Sequence, residues 1–248
     1  MDTIGILWLR QIKRYLRSRS RIVGSLGQPL LFLVALGFGL GPVYRRAGDG
    51  SYLQFLAPGI ISMGILFTAI FTGMEIIWDR QFGFLKETLV APVSRLEIMV
   101  GRTLGGATVA TLQGVLVFLI CLAVGFRVSS WALVPLALGF MFLIALLFTA
   151  LGTALASRLE DMQGFQLIMN FLVMPIFFLS SALFPLAGLP KGVLACAVAD
   201  PLTYGVDGLR GALLGSAQFS LGLDFAVLAG LTLLALWLGA RMFSKIQI

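Results

Sequence analysis

The sequence predicts an all-α polytopic membrane protein. It has six transmembrane helices, an N-terminal interfacial amphipathic helix, and an outer re-entrant helical segment before the sixth span, all within one domain over residues 1–248. Three observations predict this class. The chain is 59% hydrophobic and 12% charged, where a soluble domain carries about 25% charged residues. Its mean hydropathy is +1.00. Six apolar runs reach the roughly 20 residues a helix needs to cross the hydrocarbon core. In such a protein the net charge of +7 is read by position along the chain, as membrane orientation and not as nucleic-acid binding.

The first element covers residues 1–21. Ile4, Leu7, Trp8, Ile12, Tyr15 and Leu16 share one helical face, and Arg10, Lys13, Arg14 and Arg17 the other. A basic face opposite an apolar stripe with Trp describes a helix lying in the membrane surface; a disordered basic tail is the alternative. The spans are expected at Ile22–Leu40, Leu53–Ile77, Arg102–Gly125, Ala132–Ala156, Gly164–Phe184 and Leu221–Ala240. The run from Ile22 lacks a small-x-small cleavage site and is expected to stay as the first span. "LAGLPKGVLACAVA", Leu186–Ala199, is too short to span and holds Pro190 and Lys191. It predicts a re-entrant segment over 185–220.

Lys and Arg set the orientation. With the N-terminus inside, the inner segments hold Arg10, Lys13, Arg14, Arg17, Arg19, Arg21, Arg80, Lys86, Arg95, Arg102, Arg158, Arg241 and Lys245. The outer segments hold Arg45, Arg46, Arg127, Lys191 and Arg210. That bias puts both termini in the cytoplasm, and two inner termini agree with an even number of spans.

One polar island interrupts this chain: "DRQFGFLKETLVAPVSR", Asp79–Arg95, within a cytoplasmic loop over 78–101. Ser94 and Glu97 form a capping box, with Val93 and Ile98 at the staple positions. Pro92 discourages helix just before, so a helix is expected to start at Arg95 and run into the third span. Upstream, Phe84–Ala91 reads as a short amphipathic helix, with Phe84, Leu85, Thr88 and Leu89 on one face and Lys86 and Glu87 elsewhere. An apolar docking face, charges for register and stiff connections suit a helix that takes force from a partner. The alternative is a hairpin packed on the chain's own N-terminal helix.

Several chemistries have no residues to carry them. The sequence contains no His, no GxxxxGK[ST] phosphate loop, no G-x-S-x-G and no H-E-x-x-H. Cys121 and Cys196 lie in apolar runs and read as inert buried thiols. Of the carboxylates, Glu75 and Asp224 fall near span ends, whereas ion-coupled carriers place charges near the midplane. A membrane enzyme needs convergent acid, base or nucleophile groups, and the island offers dispersed charges. A secondary transporter and an acyl or glycosyl transferase are thus the competing classes, and energy is expected to come from another protein.

The chain resembles the membrane subunits of type-2 ABC exporters, in the branch of daunorubicin-resistance and nodulation-factor permeases. Three blocks carry the resemblance: "YLQFLAPGII" (Tyr52–Ile61), "DRQFGFLKETLVAPVSRLEIMVGRTLGG" (Asp79–Gly106), and "FLSSALFPLAGLP" (Phe178–Pro190) with "DPLTYGVDGLRG" (Asp200–Gly211). Asp200 and Ser181 stand where the family pattern has Asn and Gly. The resemblance implies a dimer of six-span subunits, a homodimer in the simplest case, in the bacterial inner membrane among its lipids. Each copy binds a separate ATP-binding subunit. ATP and Mg belong to that partner, and this chain binds no cofactor or metal and has no catalytic residue. The loop between spans two and three would carry the coupling helix, with Phe84, Leu85, Lys86, Glu87 and Leu89 facing the ATPase subunit. The outer segment, with Asp200, Tyr204, Asp207 and Arg210, would gate the exit.

The implied path runs along the second and fifth spans. Gln166, Asn170, Met174 and Phe177 form one stripe on the fifth. Intramembrane amides serve equally as interhelical hydrogen-bond partners. Phe67 and Phe71 on the second suit an apolar or amphipathic cargo, or plain core packing. Asp207 and Arg210, at i and i+3, are expected to form an ion pair. Gly101–Gly105 and Gly211–Gly215 match G-x-x-x-G and are expected at close helix contacts. The cargo is a drug, a lipid or a lipid-linked glycan, with a polysaccharide exporter as the near alternative.

Overall fold

The computed structural model describes residues 3–46, 51–84, 93–159 and 161–243. Among these, every regular element is helical. In chain order they are α1 (Thr3–Arg17), α2 (Arg19–Gly39), α3 (Gly41–Arg46), α4 (Tyr52–Phe71), α5 (Met74–Gln81), α6 (Arg95–Val124), α7 (Val134–Ala156), α8 (Met162–Leu179), α9 (Lys191–Ala199), α10 (Pro201–Leu214) and α11 (Leu221–Phe243). Six stretches are long and apolar enough to cross a membrane: Arg19–Gly39, Tyr52–Gln81, Arg95–Val124, Trp131–Ala156, Met162–Leu179 and Leu221–Phe243. The six expected spans are therefore present. The fifth stops at Leu179 instead of Phe184, because Ser180 takes an extended backbone and turns the chain away.

Span two, α4 with α5, is the hub. It packs against α2, α6, α7 and α10, and nearly all of α4 from Leu56 to Leu66 is buried. Spans one, five and six are peripheral and expose large apolar side chains such as Leu31, Phe171 and Leu233. A step at Thr72–Gly73 separates α4 from α5. Here the second and fourth spans touch backbone to backbone: a Cβ added to Gly152 would sit 2.6 Å from the Ile70 carbonyl oxygen.

The capping box forms in both directions. The Ser94 Oγ accepts from the Glu97 N–H at 3.2 Å, and the Glu97 carboxylate accepts from the Ser94 N–H at 3.0 Å. It starts α6 at Arg95, as expected, seven residues before the apolar run. Ser94→Ala is expected to cost about 1 kcal/mol, read as a lower thermal midpoint of the detergent-purified protein; an unchanged midpoint would make the cap irrelevant to stability.

The amphipathic helix α1 ends at Arg17, and a break at Ser18 leads into the first span. Its apolar face covers the third span. Leu7 and Tyr15 are buried, and Cβ atoms added to Gly101 and Gly105 would meet Leu7 and Gln11 at 3.0 and 2.7 Å. The first G-x-x-x-G pair is thus the seat of the N-terminal helix. The second pair is not a pair of contact points. Gly211 meets Leu221 and Ala217, but Gly215, at φ +74°, ends α10 as a left-handed cap with open space beside it. Gly101→Leu is expected to displace α1, seen as new protease sensitivity near Arg10 to Arg17; wild-type resistance would contradict this seating.

Candidate functional site

At the basic end of the bundle, a charged cluster ties α1 to the second and third spans. The Arg102 guanidinium donates to Asp79 at 2.6 Å, both side chains buried. Arg10 reaches the same carboxylate at 3.9 Å. One turn away, Glu75 pairs with Arg14 at 3.5 Å and with Arg21, which donates to it. Tyr15 donates to the Gln113 side chain and Trp8 to Thr108 Oγ1. Burial raises the Tyr15 hydroxyl above its ordinary value, so it remains a donor. The Arg80 guanidinium donates to the carbonyls of Leu159 and Ser157, at 3.0 and 3.1 Å. It thereby satisfies the open carbonyls at the end of α7.

Within the polar island, Asp79 and Arg80 are internal struts. The first part of the island packs on the chain's own N-terminal helix, as the alternative reading expected for the hairpin. Of the residues expected to face the ATPase subunit, Phe84 is 51% exposed. Leu85, Lys86, Glu87 and Leu89 lie outside the described residues.

Phe67 and Phe71, stacked at 6.4 Å between ring centroids, are half-buried. They line a cavity of about 380 Å³ together with Tyr15, Arg21, Gln28 and Pro29. Both rings also pack against the hydrophobic core. On the fifth span the expected stripe divides. Gln166, Asn170 and Met174 are exposed. Phe177 is fully buried and meets Phe32 of the first span edge-on at 6.0 Å. Phe177 therefore joins Phe165, Met169 and Val173 on the inward face, because residues four apart share a side more closely than residues three apart.

At the opposite end, the first block of the family-like sequence meets both parts of the third. The Ser180–Leu183 turn lies on the second span, where a Cβ added to Gly59 would come within 2.8 Å of Ala182 Cα. Tyr52 donates to the Leu183 carbonyl at 3.0 Å. Arg210 donates to the Ser181 carbonyl at 2.8 Å and lies 4.2 Å over the Phe55 ring. The expected Asp207–Arg210 ion pair is not among the ion pairs of the described residues. Asp207 instead accepts from the backbone N–H groups of Gln218 and Phe219, at 2.9 and 2.8 Å. Fixed N–H donors in the turn after α10 hold the carboxylate where the arginine was expected. Asp200 caps α10, accepting from the Leu202 N–H at 2.9 Å. Tyr204 donates to the Val198 carbonyl at 2.9 Å and so ties α10 back to α9. The two cysteines differ: Cys121 is buried and Cys196, on α9, is exposed.

Sequence reasoning missed this clasp as a unit. Its signal was the presence of the first block and the two parts of the third, each with small or aromatic residues, but nothing in any of these segments names its partner. Arg210→Ala is expected to lower the thermal midpoint, since it leaves the buried Ser181 carbonyl without its donor and removes the cation–π contact, together about 2 kcal/mol; Arg210→Lys is expected to recover part of it.

Comparison with known proteins matches this architecture. The family model described as "ABC-2 type transporter" matches residues 3–214. The chain is 31% identical over 196 residues to Nodulation protein J of Rhizobium leguminosarum bv. trifolii, covering 78% of this chain and 74% of that protein. It is 28% identical over 231 residues to Nodulation protein J of Rhizobium leguminosarum bv. viciae, covering 90% and 88%. It is 29% identical over 228 residues to the inner membrane transport permease YadH of Escherichia coli (strain K12), covering 90% and 87%. A transport subunit of this family works with an ATP-binding subunit and is not itself catalytic. With six membrane-length helices and a family match over most of its length, the chain belongs to the ABC-2 type transporter family, as a membrane permease subunit of an ATP-binding cassette exporter.

Proposed function

We propose that the chain works as one half of a homodimer in a bacterial inner membrane, with both termini in the cytoplasm. It moves a hydrophobic or amphipathic compound outward along the faces of its second and fifth spans. One observation carries this reading. Gln166 and Asn170 are exposed on a membrane-length helix, and their side chains make no hydrogen bond among the described residues. A bare amide in hydrocarbon costs several kcal/mol. These two therefore need either a second copy of the chain or a water-filled path, and a path between two copies supplies both. Phe171, 84% exposed on the same helix, adds an apolar wall beside them.

Energy enters at the loop between the second and third spans, where Phe84, Leu85, Lys86, Glu87 and Leu89 meet the ATP-binding subunit. ATP and Mg sit on that partner. The stiff start of α6 at Ser94 and the struts from Asp79 and Arg80 carry its movement into spans two, three and four. At the far end, α9 and α10 close the exit as a re-entrant segment held by the Arg210 clasp, with Asp200, Tyr204 and Asp207 fixing its turns.

Two measurements test this. Asn170→Cys, in a chain whose Cys121 and Cys196 are replaced by Ser, is expected to give a crosslinked dimer with a short bis-maleimide in membranes. A purely monomeric product would remove the two-copy path. Leu85→Glu with Leu89→Glu is expected to abolish co-purification with the cognate ATP-binding subunit while leaving the permease itself folded. Unchanged co-purification would put the docking surface elsewhere.

A further inference from the structure

The break at Ser18 opens a groove that the exporter reading alone does not require. Three cavities adjoin along it. The outermost, about 1070 Å³, lies among Lys13, Arg14, Arg17 and Arg19. It shares Arg14, Ser18 and Ser20 with a cavity of about 490 Å³ walled by Phe71 and Trp78. That one shares Arg21 and Phe71 with the 380 Å³ cavity beside Phe67 and Pro29. The lining thus changes from cationic to aromatic and apolar as the groove deepens.

The charges do not balance inside the chain. Glu75 offsets Arg14 and Arg21, and Asp79 offsets Arg10 and Arg102. Lys13, Arg17 and Arg19 have no acidic partner among the described residues. A positive-inside bias alone places cations at the membrane edge, but it does not place an aromatic-walled cavity behind them. Guanidinium groups match phosphate geometry and bind it through charge-assisted hydrogen bonds. The apolar depth behind them suits an acyl or isoprenoid body.

We propose that this groove loads the cargo, and that the cargo it takes is a phosphate-headed amphiphile drawn sideways from the adjoining leaflet, its head at Arg17 and Arg19 and its body against Phe71 and Phe67. The word cargo rests on the exporter reading above; the binding site does not. The geometry narrows the compound class from hydrophobic or amphipathic to anionic amphiphilic.

The test is equilibrium binding of radiolabelled tetradecyl phosphate to the purified full chain in dodecyl maltoside, without nucleotide or ATP-binding subunit. Unlabelled tetradecyl phosphate is expected to displace the label. Tetradecanol, with the same tail and no charge, and inorganic phosphate, with no tail, are expected to compete at least about tenfold more weakly, the worth of one charge-assisted hydrogen bond. Arg17→Ala with Arg19→Ala should weaken binding by about tenfold or more on the same ground. Both side chains are exposed and unpaired among the described residues, so the variant is expected to fold. Phe71→Ser supplies a second variant, at the apolar end, and should weaken binding too. Equal competition by tetradecanol, or binding untouched by the double substitution, overturns the proposal. So does displacement by dioleoylphosphatidylglycerol as strong as by tetradecyl phosphate, which would make the groove a general headgroup site. Because the readout needs no partner, failure of the chain to assemble with an ATP-binding subunit would leave it intact, whereas lost binding in an assembling chain overturns this proposal alone.

Discussion

Gly152→Leu is expected to prevent the bundle from assembling. At Gly152 the fourth span lies directly on the backbone of the second, and an added Cβ would stand 2.6 Å from the Ile70 carbonyl oxygen and 3.0 Å from Ile70 Cα. Neither atom is the flexible end of a side chain, so the two helices must move apart. Overpacking a well-packed core costs about 1–3 kcal/mol, occasionally more, and a clash with backbone belongs at or beyond the upper end. The spread would also reach the third span. A Cβ at Gly106 would meet Thr149 and Thr72 at 2.7 Å, so the same crossing seats three spans. The expected result is loss of the monodisperse peak in detergent chromatography, with Gly152→Ala intermediate. A Gly152→Leu protein that elutes and melts like the parent would show that this crossing does not set the position of the hub.

Asp79→Ala is expected to be nearly as damaging, for an electrostatic reason. Arg102 is 6% exposed and Asp79 7%, with 2.6 Å between them. Removing one partner of a buried pair leaves the other charge unpaired and costs about 3–5 kcal/mol. Replacing both, as in Asp79→Ala with Arg102→Met, should recover most of that loss, because no charge then stays buried. Arg10, 47% exposed and 3.9 Å away, belongs to the class of exposed pairs worth about 0–1 kcal/mol. A thermal-midpoint series over these variants checks the ranking. If Arg10→Ala costs as much as Asp79→Ala, or if the double replacement is worse than the single, the cluster is not organised around the Asp79–Arg102 pair.

Both effects arise in places whose importance was legible in the sequence only in part. Asp79 stood out as a charge beside a greasy span, but no partner for it was legible. Its burial depends on Arg102, 23 residues later in the chain, and on α1 folding back across both. Gly152 carried no signal, since a glycine in a Gly-rich span announces no neighbour. Gly101 and Gly105 were legible as a small-residue seat, but the helix that occupies it was not. The Asp207–Arg210 pair shows the reverse error: i,i+3 spacing permits contact along a helix, yet the N–H groups of Gln218 and Phe219 reached Asp207 first. Phe177 was assigned to the path from the resemblance and its place on the stripe, and the packing of the fifth span against Phe32 turned it inward.

The class, the number of spans, the capped start of the third span and the amphipathic character of the first helix were all legible before any fold was known. These follow from hydropathy, helical periodicity and a local cap, all of which act within a few turns of one segment. Tertiary structure alone decided which glycines touch backbone, which charges are buried and where the groove behind Ser18 opens. Those features join residues far apart in sequence, and their energies come from contact and desolvation. No single segment encodes either quantity, because both depend on which other surface arrives.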